Sequence, residues 1–192
     1  MMWIRAVIVS TAAAVCMLAG GCGGKEQKPV PRQRAYVRVT LPDTVMRAAD
    51  DVPLHLMVNA SALTRCPRPG WLDISYPGLG ATVHVSFSRA TGVEELEAVK
   101  ANRMERLLLN AGNGESESAE FSNGRGFNIY MMRSEGSATP VQFLATDDSV
   151  WVVSGAVYFD VKPGPGAVDS LRPMVDAVER DIVESMSSLC QK

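Results

Sequence analysis

The chain has 192 residues, 46% hydrophobic and 21% charged, with a formal net charge of −2. That balance suits one globular domain and excludes a disordered tail, a collagen-like repeat and a polytopic membrane protein. A sequence pI near 5.7 leaves no basic face, and nucleic acid is not an expected partner.

The N-terminus reads as a targeting segment. Arg5 precedes an apolar run, Ala6–Leu18, too short to span a bilayer as a helix but suited to the core of a signal peptide. Ala19, Gly20 and Gly21 then lead into Cys22. Small residues ending in Cys after such a core resemble a bacterial lipobox, so residues 1–21 are expected to be a lipoprotein signal peptide and Cys22 the acylated (palmitate-bearing) new N-terminus. The segment 22–34 is a tether. Lys25, Lys28, Arg32 and Arg34 outnumber Glu26, and Pro29 and Pro31 favour extended chain. Such a basic stretch suits an anionic lipid surface. Residues 35–192 form the body. Of the four cysteines, Cys66 and Cys190 remain there, either as one disulfide or as two free thiols in an oxidising compartment. Their spacing is not that of a zinc site, and no metal is expected.

Alternation predicts strands at Tyr36–Leu41 and Leu54–Val58, the latter with Leu54, Leu56 and Val58 inward. Trp71–Tyr76 and Ala81–Ser88 read as a hairpin across Pro77-Gly78-Leu79-Gly80, burying Leu72, Ile74, Tyr76, Val83, Val85 and Phe87. Thr91-Gly92-Val93-Glu94 fits a capping box before a helix over Gly92–Asn110, with Val93, Leu96, Met104, Leu107 and Leu108 on its apolar face. Its glutamates come first and its arginines later, which suits the helix dipole. Asn110–Gly126 is rich in Gly, Ser and Glu and reads as a loop.

Phe127–Met131 and Val141–Ala145 alternate as strands, and Asp147-Asp148-Ser149 is turn chemistry. Val150–Phe159 is apolar on both faces and therefore central, with Gly155 marking a bulge or close packing against a helix. After Pro163-Gly164-Pro165-Gly166, Asp169 is expected to cap a helix with Pro173 in its first turn. The stripe Leu171, Val175, Val178, Ile182, Met186 and Leu189 follows. The order strands, helix, strands, helix predicts a single α+β domain with a largely antiparallel sheet flanked by helices.

Catalytic signals are thin. His84 and His55 each sit between inward-facing apolar residues and read as sheet-surface histidines. Asn123-Gly124-Arg125-Gly126 leads into a strand and reads as a turn, not a phosphate cradle. Asp147-Asp148 offers carboxylates but reads as a hairpin turn. The alternative function, a periplasmic small-ligand-binding or enzymatic lipoprotein, would need a concave site lined by polar groups such as Tyr36, Arg38, Trp71 and Gln142.

Four stretches together resemble the gliding-motility lipoprotein GldD family of Bacteroidetes-type bacteria. They are Pro31–Arg38 closing at Leu41-Pro42; Cys66-Pro67 with Trp71, Ile74 and Tyr76-Pro77; Thr139–Asp147 with Gly155–Phe159; and Pro163 with Asp169–Pro173, reaching Asp181-Ile182. The resemblance implies a non-enzymatic envelope lipoprotein, without cofactor, needed for gliding and for the linked type IX secretion apparatus. Its partners would be the membrane, through the lipid, and other envelope proteins of that machinery. The domain would hang in the periplasm, at the inner leaflet of the outer membrane. The element order is also similar to the PsbP/Mog1-type α/β/α sandwich, an analogy of fold alone.

Overall fold

A computed structural model describes residues 40–112, 114–160 and 168–192. Cys22, the tether and the strand expected at Tyr36–Leu41, except for irregular Thr40 and Leu41, lie outside them.

The chain forms a seven-stranded antiparallel sheet in the order β3-β4-β5-β9-β8-β7-β6 and a separate two-stranded ribbon, β1-β2. The strands are β1 (Met46–Ala48), β2 (Met57–Asn59), β3 (Leu63–Arg65), β4 (Trp71–Tyr76), β5 (Ala81–Arg89), β6 (Ser116–Ser122), β7 (Asn128–Ser134), β8 (Val141–Thr146) and β9 (Trp151–Phe159). The helices are α1 (Val93–Ala111) and α2 (Val168–Ser188). This is a single α+β domain with three layers.

Residue parity decides the layering. Ile129 and Met131 of β7 pack into a core with Leu72, Ile74, Val83, Val85, Phe143, Val153 and Val157. The α2 stripe Val175, Val178, Ile182 and Met186, with Leu189 just beyond, closes that core, joined by Leu54, Leu56 and Val58. Each large side chain so buried contributes roughly 2 kcal/mol. Met132 and Leu144 point the opposite way and pack with Val152, Leu96, Leu107 and Ala111 under α1. One helix therefore lies on each face of the sheet.

β9 occupies the middle position, as its two apolar faces predict. Gly155 makes no bulge: β9 stays in continuous register with β5 and pairs Gly155 with Phe143 of β8. A Cβ at this position would collide with the Phe143 ring and the His84 carbonyl oxygen. The glycine exists to let an aromatic ring lie across β9.

Four expectations need correction. Asn110–Gly126 is not all loop, because Ser116–Ser122 pairs fully with β7 as an edge strand. Its side chains are mostly exposed, so it carries no apolar alternation to read. The capping box does not form: Gly92 is the N-cap without a side-chain bond, and Thr91 instead donates its N–H and hydroxyl to Glu95, at 2.8 and 2.5 Å. Val93 and Leu108 are 75% and 53% exposed, because α1 rests on only part of the sheet. Finally, α2 begins at Val168, one residue before Asp169, and encloses Pro173 in its second turn.

Candidate functional site

The same parity that buries the α2 face sends a polar row to the α1 face. Register aligns Asp73 of β4 with His84 of β5, His84 with Ala156 of β9, and Ala156 with Gln142 of β8. One step along, Ser86 faces Ser154. α1 packs chiefly on β9, β8 and β7. A cleft of about 170 Å³ lies between the arginine side of α1 and the sheet. Trp71, His84, Ser86, Ser154 and Tyr158 form its floor, with Arg103 and Arg106 opposite.

The floor is tied together by hydrogen bonds. Asp73, 6% exposed, lies 2.7 Å from His84 Nδ1 through one oxygen and accepts from Arg65 at 2.8 Å through the other. Burial pushes the Asp73 carboxyl upward, but the bonds from His84 and Arg65 outweigh it and hold it below its ordinary value. An ionised Asp73 accepts a hydrogen bond from the Nδ1–H and so fixes the ring's tautomer. The ring meets Tyr158 edge-on at 5.3 Å. The Ser86 and Ser154 hydroxyls bond each other at 2.9 Å. Buried Gln142 donates to the Leu107 carbonyl at 3.2 Å and locks α1 onto β8.

An Asp–His pair is half of a nucleophilic site. Among the described residues no hydroxyl or thiol hydrogen-bonds to His84; the nearby serines bond each other.

A larger cleft of about 510 Å³ opens on the other side of α1, lined by Lys100, Met104, Glu120, Asn128 and Tyr130. Its cation is already spoken for, since Lys100 pairs with Asp148 at 2.9 Å and Glu97 at 3.1 Å. Asn128 adds a bond to Asp148 at 2.9 Å. Those bonds hold the Asp148 carboxyl low and the Lys100 ammonium high.

The remaining candidates fall into structural roles. Asp147 is a turn clasp: one oxygen accepts from the N–H groups of Ser149, Val150 and Trp151, at 3.1, 2.8 and 2.8 Å. Asn123 closes the β6–β7 turn and donates to the Met186 and Leu189 carbonyls at 2.9 and 2.8 Å, fastening it to the end of α2. His55 bridges Cys190 through main-chain bonds of 2.9 and 3.2 Å. Cys66 and Cys190 stand as free cysteines in this structure. Cys66 lies against the Asp50 and Asp51 carbonyls, at 3.8 and 3.7 Å. Burial, then the charges of Asp51, Asp73 and Asp50, push its thiol pKa up. That disfavours the thiolate needed for disulfide exchange.

Of the four polar groups named as the lining of a ligand site, Trp71 and Gln142 do line the arginine cleft. Tyr36 and Arg38 lie outside the described residues. Sequence reading missed Asp73, Ser86, Ser154, Tyr158 and the arginine pair. Arg103 and Arg106, one helical turn apart, read there as a solvated face.

Fold and site together define an α/β/α domain with an open polar cleft and no assembled nucleophilic centre among the described residues. The family model described as gliding motility lipoprotein GldD matches residues 26–190. The chain belongs to that family of lipoproteins. No curated protein matches it.

Proposed function

We propose that this protein is a lipid-anchored, non-enzymatic envelope subunit that supports gliding motility and the linked type IX secretion apparatus by assembly or coupling. The observation that carries the reading is the family match over residues 26–190. The lipobox-like run ending at Cys22 supports the anchor. No described helix is long and apolar enough to cross a membrane.

In this reading residues 1–21 are removed, Cys22 is acylated, 22–34 is the tether and 35–192 is the working domain. The domain faces the periplasm from the inner leaflet of the outer membrane. Labelled fatty acid should enter the native protein and not Cys22→Ala, and protease added to intact cells should spare the domain. Deleting the gene in the source bacterium should reduce colony spreading and export of type IX cargo, and affinity purification should recover envelope proteins of that machinery. Normal spreading, normal export and no envelope partner would sink the proposal.

A further inference from the structure

The arginine cleft has a charge arrangement that its surroundings do not use. Arg103 and Arg106 sit three apart on α1 and line the same cleft. Neither has a carboxylate partner among the described residues, whereas Lys100 on the same helix has two. Burial first, then the charge of Arg106, lowers the Arg103 pKa, as expected for two guanidiniums facing one space without an anion between them. No Asp or Glu lines the cleft. Asp73, which bonds to the lining residue His84 from behind, is already shared between His84 and Arg65. A further cation stands at the rim, where Arg68 stacks 3.9 Å above the ring of Trp71. This local positive field belongs to a chain whose net charge is −2.

The rest of the lining supplies neutral donors. Ser86, Ser154 and Tyr158 carry hydroxyls, and Asn110 and Gln142 carry amides. Two guanidinium forks can each take two oxygens of one planar or tetrahedral anion, and hydroxyls can take a third. A carboxylate has only two oxygens, while a phosphoryl group has three and up to two charges. The volume, about 170 Å³, is below that of ordinary drug-sized sites yet ample for a phosphoryl group with a short substituent.

We propose that this cleft binds a phosphoryl anion, with Arg103 and Arg106 as the charged clamp and Tyr158 and one hydroxyl of the bonded Ser86–Ser154 pair as donors. The group is either a soluble phosphate monoester or the phosphate of a lipid headgroup; the recognition chemistry is the same. Binding here does not depend on whether the protein serves motility, and its failure would leave the assembly reading untouched.

The test uses the full-length protein in uncharged detergent, titrated by calorimetry with inorganic phosphate, glycerol phosphate and short-chain phosphatidic acid. Saturable binding is expected, weakened at least about tenfold in Arg106→Gln and in Arg103→Gln. Arg125→Gln, which removes the same charge from the exposed β6–β7 turn, should bind like the parent. Thermal unfolding of each variant checks the fold. Should Arg103→Gln unfold, Arg106→Gln on the exposed side of the helix decides alone. Tighter binding of phosphatidic acid than of glycerol phosphate would assign a headgroup, and equal binding a soluble monoester. No saturable binding of any of the three, acetate binding as tightly as phosphate, or an Arg106→Gln variant that binds like the parent would each overturn the proposal.

Discussion

Gly155→Ala is the sharpest test of how the sheet is packed. An alanine Cβ at this position would lie 2.7 Å from Phe143 Cε1 and 2.8 Å from the His84 carbonyl oxygen, and closer still to Phe143 Cζ. The ring tip can swing, but Phe143 is 1% exposed and has no space to enter. The His84 carbonyl belongs to the β5 main chain, which is paired with β9 along nine residue pairs and cannot yield alone. Overpacking of this kind costs about 1–3 kcal/mol. Replacing a strand glycine returns roughly 0.5–1 kcal/mol of backbone entropy, so a net loss of ~1–2 kcal/mol is expected. For a domain of this size that lowers Tm by about 2–4 °C per kcal/mol. Urea unfolding followed by tryptophan fluorescence reads the change. A double-mutant cycle with Phe143→Leu isolates the cause. Without the ring only the carbonyl contact remains, and Gly155→Ala should then cost about 1 kcal/mol less. Strict additivity in the cycle, or a Gly155→Ala variant as stable as the parent, would refute the matching of glycine and ring.

Asp181, 2% exposed, accepts from Asn59 at 2.9 Å; burial holds its carboxyl above the ordinary range despite Arg180, Asn59 and Tyr76. Because it binds its proton more tightly folded than unfolded, its contribution is complete below its unfolded pKa and is lost as pH rises through the folded value. Asp181→Asn should therefore be at least as stable as the parent at neutral pH, with a flatter stability–pH profile by denaturant titration. Asp73 has the opposite sign: its depressed pKa contributes stability above the unfolded value of about 3.9, lost as pH falls through the folded one. Asp73→Asn should cost about 1–2 kcal/mol at neutral pH, discounted for the exposure of Arg65, and less in acid. Thiol labelling of the denatured, unreduced protein should count both Cys66 and Cys190 as free; a protein in which neither reacts would overturn the observed thiol state.

The sequence alone determined what depends on short-range periodicity and local chemistry. Period-2 alternation placed the β4–β5 hairpin and the inward set Leu54, Leu56 and Val58, because a pleated strand sends alternate side chains to opposite faces. Two apolar faces put β9 at the centre, since only a covered strand can afford both. The stripe through Val175, Val178, Ile182 and Met186 made α2 a packed helix, and four separated stretches carried the family. Tertiary structure decided everything that depends on which strand lies beside which. β6 was invisible because a mostly exposed edge strand draws its stability from main-chain pairing with β7 rather than from a hydrophobic pattern. Val93 and Leu108 looked like core residues because periodicity cannot say how far a helix overlaps its sheet. Gly155 read as a bulge or as packing against a helix, and only the pairing of β8 with β9 shows that it makes room for Phe143 of the neighbouring strand. The arginine cleft was the least legible of all. Asp73, His84, Ser154, Gln142 and Arg103 come from five elements, and no window of sequence contains them. They meet because the order β4-β5-β9-β8 carries distant strands into register and α1 lies along the same face.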